Sequence, residues 1–249
     1  MKVGIWGYGF VGQAMHAIIK NCNISIYDTN DKYKHNQMKM LEQDIIFVCV
    51  PTPSKGFHQD PSIVQSVLDW LAARNFAGVV IVKSTILHEH LTPYEHRLGL
   101  CFNPEFLNQN TSIKDAAEQK LVVLGGDIDV TKEVYHFYID YTIVKAEYEF
   151  MTIKEASDFK YTRNLYGAYK VLFWEFIQDT TGNARKMADL YHKIEYQSEM
   201  SQVGMDGFRG FGGACFPKDT KAWDGKHKHQ LTEFMLKYNE KLSKPSKST

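Results

Sequence analysis

The chain is short of the features that mark secreted, membrane-spanning or nucleic-acid-binding proteins. It has only four cysteines in 249 residues, Cys22, Cys49, Cys101 and Cys215, and no two stand in CxxC spacing. That spacing excludes a disulfide framework and a cysteine-based zinc site, and it points to a reducing, cytoplasmic setting. Neither sign of charge is in excess, since 29 Lys plus Arg balance 29 Asp plus Glu. A basic footprint for nucleic acid is therefore missing. No apolar run reaches the roughly 20 residues of a membrane span. No charged-then-apolar leader precedes the first apolar segment. His-Glu-His at 88–90 and His-Lys-His at 227–229 have no further ligands at zinc spacing, so they read as surface residues and no metal is expected. Proline is also scarce, with none between residues 151 and 180.

What is present is a core-forming chain, 44% hydrophobic, long enough for one large domain or two smaller ones. KVGIW at residues 2–6 is a short apolar run, read as a buried strand. GYGFVG follows, with Gly7, Gly9 and Gly12, then a helix-like stretch to Lys20, a second strand at 24–27 and Asp28. Strand, GxGxxG, helix, strand and acid in this order form a dinucleotide-binding fingerprint. The first two glycines suit a tight turn and a close pyrophosphate, and Gly12 suits tight helix–strand packing. Asp28 stands about 20 residues on, where a carboxylate accepts from ribose hydroxyls. With no arginine in Tyr27-Asp28-Thr29-Asn30 to receive a 2′-phosphate, NAD rather than NADP is expected.

Alternation continues with strands at 44–50, 78–83, 99–102, 120–124 and 142–145, and helices near 61–74, 88–97 and 131–140. This predicts an α/β fold, an N-terminal Rossmann-type doubly wound parallel sheet. Ligands bind beyond the carboxyl ends of such strands, here at Pro51-Thr52-Pro53, Ser84-Thr85 and Asn103-Pro104-Glu105. Beyond residue 150 the texture changes. Residues 151–180 read as one long, buried helix of about 40 Å, followed by helices at 184–194 and 230–242. The expected organisation is a Rossmann domain over 1–147 and an all-α domain built on the long helix over 148–249. Phe159, Tyr166, Tyr169, Leu172, Phe173 and Phe176 on that helix give more apolar surface than a small region buries alone, which predicts a homodimer. The tail from residue 243 is polar.

GFGGACFPKD at 210–219 holds one cysteine between a glycine-rich loop and a proline suited to a helix start. Cys215 at a helix N-terminus would ionise more readily and act as a nucleophile; the plain alternative is an inert buried thiol. Asp219 is then either a site residue or an ordinary first-turn carboxylate. Lys160 and Asn164, four apart, share a helix face and could hold an oxyanion or a sugar hydroxyl; alone they read as surface residues. Glu105 is a base or a solvated strand-end carboxylate.

Taken in order, GYGFVG, VCVPTP at 48–53, KST at 83–85, NPEFL at 103–107, EASDFKYTRNLYGA at 155–168 and GFGGACFPKD resemble the UDP-glucose/GDP-mannose dehydrogenase family. The resemblance runs from residue 1 to about 224. It implies NAD held by Gly7, Gly9, Phe10, Val11, Gly12, Asp28, Pro51, Thr52 and Thr85. It implies catalysis by Cys215, Lys160, Asn164, Asp219, Glu105 and Thr85. It further implies a nucleotide-sugar substrate against Glu105, Phe106, Leu107, Lys160, Asn164, Phe211, Gly212 and Gly213. The implied reaction is four-electron oxidation of a C6 alcohol to a carboxylate, most like that of UDP-glucose. Departures are Gln109 in place of a second acid, Glu175 where the long helix carries asparagine, an unusual segment at 195–207, and the lack of a third, nucleotide-binding domain. A β-hydroxyacid dehydrogenase and a non-catalytic nucleotide-binding module are the alternatives.

Overall fold

The computed structural model describes residues 1–30, 32–194, 209–228 and 230–243. In chain order its elements are β1 (Lys2–Trp6), α1 (Phe10–Ile18), β2 (Asn23–Tyr27), β3 (Ile45–Val48), β4 (Ser54–Lys55), β5 (His58–Gln59), α2 (Ser62–Ala72), β6 (Val79–Val82), β7 (Gly99–Phe102), α3 (Ser112–Glu118), β8 (Leu121–Gly126), α4 (Ile128–Tyr141), β9 (Glu147–Met151), α5 (Ile153–Thr181), α6 (Ala184–Ile194), α7 (Phe216–His227) and α8 (Gln230–Ser243). The chain parts into two compact units. One is residues 1–52 with 60–160, and the other is residues 53–59 with 161–249.

The first unit is a seven-stranded sheet in the order β2-β1-β3-β6-β7-β8-β9. IIFV in β3 and VVIV in β6 are buried at every position, as parallel strands covered on both faces must be. The pleat sorts them. Ile46, Val48, Val80 and Val82 pack with Val64, Leu68 and Leu71 of α2 on one side. Ile45, Phe47, Val79 and Ile81 pack with Met15 and Ile18 of α1 and Val134 and Phe137 of α4 on the other. From β1 the chain moves outward to β2 and returns on the opposite side as β3. The crevice at this reversal lies beyond the carboxyl ends of β1 and β3, the preferred ligand position in such sheets.

Several expectations change. The sheet is not wholly parallel, because β8 runs antiparallel to β7. The intervening α3 has seven residues, about 10 Å, too short to carry the chain back down the sheet. The strand expected at 142–145 is instead the exit from α4. The Thr142 hydroxyl donates to Tyr138 O at 2.7 Å and accepts from Val144 N at 3.2 Å, and the last strand forms at β9. The helix expected at 88–97 is two 3-10 turns, His88–His90 and Thr92–Tyr94, since Pro93 lacks the N–H a longer helix needs. A 3-10 helix over Lys34–Glu42 was not foreseen; it buries Met40 and leaves Met38 exposed.

Among the described residues the second unit packs helices around small apolar clusters. Ala168 and Leu172 of α5 meet Phe211 and Met235, and Trp174 meets Ala184 and Ala188 of α6. A strap formed by the β4–β5 hairpin closes on α7. Gly225 of α7 lies under it, so that a Cβ there would approach Phe57 O to 2.4 Å. The strap's Gln59 donates to the Tyr161 hydroxyl at 2.9 Å. α5 has the expected length, 29 residues, but is not buried all round. Phe159, Tyr166, Tyr169 and Phe173 are exposed while Leu172 is buried, so Leu172 leaves the expected dimer surface. The side chain of Phe176, the segment 195–207, His229 and the tail beyond Ser243 lie outside the described residues. Among the described residues no helix is long and apolar enough to cross a membrane, and no three metal-ligating side chains cluster.

Candidate active site

The cofactor loop is built from residues that tolerate no side chain where the backbone is crowded. A Cβ on Gly12 would lie 2.1 Å from Gly7 O, and Gly7 itself stands at φ +94° against the backbone of Cys49. At Gly9, the N-cap of α1, the space a Cβ would fill is open and no side chain caps the helix. Open N–H groups at a helix start beside bare backbone suit a pyrophosphate. Phe10 and Val11 open the helix half-buried. Asp28 accepts from Tyr8 N at 2.6 Å and Asn30 N at 2.9 Å. The carboxylate is thereby locked beside the glycine turn, where a ribose would lie. The residues fit a dinucleotide.

The neighbouring strand ends are tied together. The Thr52 hydroxyl donates to Thr85 O at 2.7 Å, and the Ser84 hydroxyl to Val50 O at 2.6 Å. Thr52 and Thr85 are buried and Pro51 is exposed, so the expected cofactor loops form one joined rim. Beyond β7, Glu105 is 6% exposed. Its Oε1 lies 3.0 Å from Lys160 Nζ, which also donates to Glu105 O, and its Oε2 accepts from Leu107 N at 2.7 Å. Burial pushes this carboxyl up, but the Lys160 ammonium, the Leu107 N–H and the Lys83 charge outweigh it and hold Glu105 below the ordinary 4.5. Glu105 is therefore not a solvated strand-end carboxylate but half of a buried ion pair. Phe106 sits 5.5 Å from Lys160 Nζ and packs edge-on to Phe159.

Behind this loop lies a polar cluster that the sequence reasoning missed. Lys83 donates to Asn103 Oδ1 at 2.8 Å, the Tyr138 hydroxyl donates to the same oxygen at 2.6 Å, and Asn103 Nδ2 donates to Val123 O at 2.8 Å. Burial pulls the Lys83 amine down to about 8, against the Glu105 charge. Burial pushes the Cys49 and Cys101 thiols up to about 12, so neither is a nucleophile near neutrality. The visible signal was a single lysine closing an otherwise apolar strand.

In the second unit Cys215 is half-buried at the N-cap of α7, with Pro217 in the first turn and Asp219 N bonded to Cys215 O at 2.8 Å. Asp219 is wholly buried and Asn164 Nδ2 donates to its Oδ2. Its Oδ1 lies 3.3 Å from Lys218 Nζ but accepts no hydrogen bond. Gly212 and Gly213 have open space where a Cβ would stand, and Phe211 is buried. Glu175 and Asn239, which bind the start of this loop, were not foreseen as site residues. Glu175 was visible only as a departure from a pattern, and nothing in the sequence marked Asn239.

Residues 26–139 match the model of the NAD-binding domain of the UDP-glucose/GDP-mannose dehydrogenase family. Over 211 residues the chain is 29% identical to UDP-glucose 6-dehydrogenase of Rhizobium meliloti, covering 72% of this chain and 45% of that protein. Over 212 residues it is 27% identical to GDP-mannose 6-dehydrogenase of Pseudomonas aeruginosa, covering 74% and 46%. The match thus spans about half the length of these relatives. In fold it resembles a UDP-glucose dehydrogenase from the hyperthermophilic archaeon Pyrobaculum islandicum, with TM-score 0.77, 20% identity, and 96% of this chain and 68% of that one covered. The chain is thus similar to the UDP-glucose/GDP-mannose dehydrogenase family, and the stretch that matches the family model is that family's NAD-binding domain.

Proposed function

We propose that the protein oxidises the C6 alcohol of a nucleotide sugar to a carboxylate, UDP-glucose first among the candidates, in two NAD-dependent steps. The observation that carries this reading is a cysteine at a helix N-cap, beside a buried Asn164–Asp219 pair, in a chain that also holds an NAD-binding domain. When bound, NAD supplies the hydride acceptor. The glycine loop holds the cofactor, and Asp28 fixes its ribose. A water held by Thr85 and by Asp219, whose Oδ1 still lacks a donor, takes up the proton of the alcohol. Cys215 adds to the aldehyde, and loss of a second hydride leaves a thioester. Lys160 spends two of its three N–H groups on Glu105, and Asn164 one of two on Asp219, so each retains a donor for the sugar oxyanion. The ionised Glu105 helps a water hydrolyse the thioester, and Phe106, Leu107, Phe211, Gly212 and Gly213 line the sugar. The exposed rings of α5 belong to a homodimer contact, which sedimentation of the chain at assay concentration tests by showing a dimer.

The decisive measurement is NADH formed per sugar consumed. Two supports this reading. One supports a β-hydroxyacid-type dehydrogenase, and none supports a nucleotide-binding module without catalysis.

A further inference from the structure

Glu175 is anomalous on α5. It is a carboxylate with 0% exposure on a helix face otherwise lined by Ala168 and Leu172. An unpaired buried carboxylate costs several kcal/mol, so its partners reveal what it is for. Both stand at the entry to the cysteine loop: Arg209 Nε donates at 2.8 Å and Gly210 N at 3.4 Å. Eleven residues earlier on the same helix, Asn164 binds Asp219, the end of that loop. Eleven residues are close to three turns, so both side chains leave one face of α5, about 16 Å apart along its axis. The loop is thus tied to a single helix at both ends, with Cys215 between them.

Its second residue is fixed from α8. Asn239 Oδ1 accepts from Phe211 N at 2.6 Å, and Asn239 Nδ2 donates to Phe211 O at 3.0 Å. Only a carboxamide pairs with both backbone groups of one residue in this way. Gly210, at φ +83°, makes the approach possible, since a Cβ there would lie 2.4 Å from Asn239 Oδ1. The Phe211 ring fills the cluster of Ala168, Leu172 and Met235.

We propose that Glu175 and Asn239 are positioning residues for Cys215, fixing the path of the glycine-rich loop so that the thiol is held at the first turn of α7. The proposal rests on Cys215 being the nucleophile of the reaction above. The competing account makes Arg209 a mere counter-ion for Glu175, in which case removing Glu175 changes stability and leaves Cys215 alone.

The test is alkylation of the intact chain by iodoacetamide between pH 6 and 9, with Cys215 and Cys22 followed separately by peptide mass spectrometry. Asn239→Asp and Glu175→Ala are expected to slow Cys215 about tenfold at pH 7 and move its rise with pH to more alkaline values. Glu175→Gln, which keeps an acceptor for Gly210 N, is expected within about threefold of the native rate, and Cys22 is expected unchanged in all three. A native Cys215 profile in both Asn239→Asp and Glu175→Ala overturns the proposal. Should those variants not fold, amide hydrogen exchange in the native chain decides: Gly210 and Phe211 are expected to exchange at least about tenfold more slowly than Gly212, and equal rates overturn the proposal. Both readouts are taken without substrate or NAD, so they stand or fall separately from nucleotide-sugar oxidation.

Discussion

The two units assemble their candidate site residues in opposite ways. In the sheet unit nearly every one sits at the end of a strand, next in sequence to the apolar run that buries it: Gly7 after β1, Asp28 after β2, Thr52 after β3, Thr85 after β6, Glu105 after β7. In the helical unit the cysteine loop depends on side chains far off in sequence, Asn164 and Glu175 on α5 and Asn239 on α8. The first arrangement comes with the fold. The second exists only once three helices have packed.

On the mechanism proposed above, the contrast implies that cofactor handling and covalent chemistry are separable. The largest expected effect is from Cys215→Ser, which should lower carboxylate formation by about 10³-fold or more while leaving NAD affinity within about twofold. Product analysis with excess NAD, beside calorimetric titration of NAD, checks it. Weakened NAD binding would break the contrast.

Next is Lys83, inside the sheet unit. Its amine holds a proton up to pH 10.5 when unfolded but only to about 8 when folded. Between those values the unfolded state binds more protons at this site, so the Lys83 contribution to native stability should rise with pH, by about 3 kcal/mol in all, while the buried Cys49 and Cys101 thiols act in the opposite direction above pH 9. Urea unfolding of the native chain and Lys83→Met across pH 8 to 10.5 should show the stability difference between them shifting in favour of the native chain as pH rises.

Gly12→Ala forces a Cβ onto Gly7 O, and should weaken NAD binding about 100-fold. The alkylation rate of Cys215 should not move. A parallel loss of both would merge what the comparison separates. The smallest effect is from Asp28→Ala, about tenfold in NAD affinity, with discrimination against NADP reduced as the carboxylate is removed. Competition binding with the two dinucleotides measures it.

The same contrast explains what could be read beforehand. The strands β1, β2, β3, β6, β7 and β8, the glycine turn, Asp28 and the length of α5 follow from local pattern: apolar runs, fixed glycine spacing, and thirty residues without proline. The place of Cys215 at the start of α7 was legible because glycines and Pro217 announce a loop and a helix start. The Lys83–Asn103–Tyr138 cluster was not, because its members lie 20 and 35 residues apart and meet only when β6, β7 and α4 pack. Asn239 was not, because an asparagine in an amphipathic helix carries no mark of the backbone it will bind. The direction of β8 escaped because no rule of alternation reports that a seven-residue helix is too short for a crossover.

The strap has a consequence for how such a chain can be cut and recombined. Residues 53–59 interrupt the sheet unit in sequence but belong to the helical unit, so the chain passes between units after Thr52, after Gln59 and again after Lys160. A splice at the last of these points would leave the hairpin on the wrong fragment. The helical piece would lose the covering of Gly225 and the hydrogen bond from Gln59 to Tyr161. Exchange of the sheet unit as a cassette therefore requires three junctions, with the seven-residue hairpin kept from the recipient.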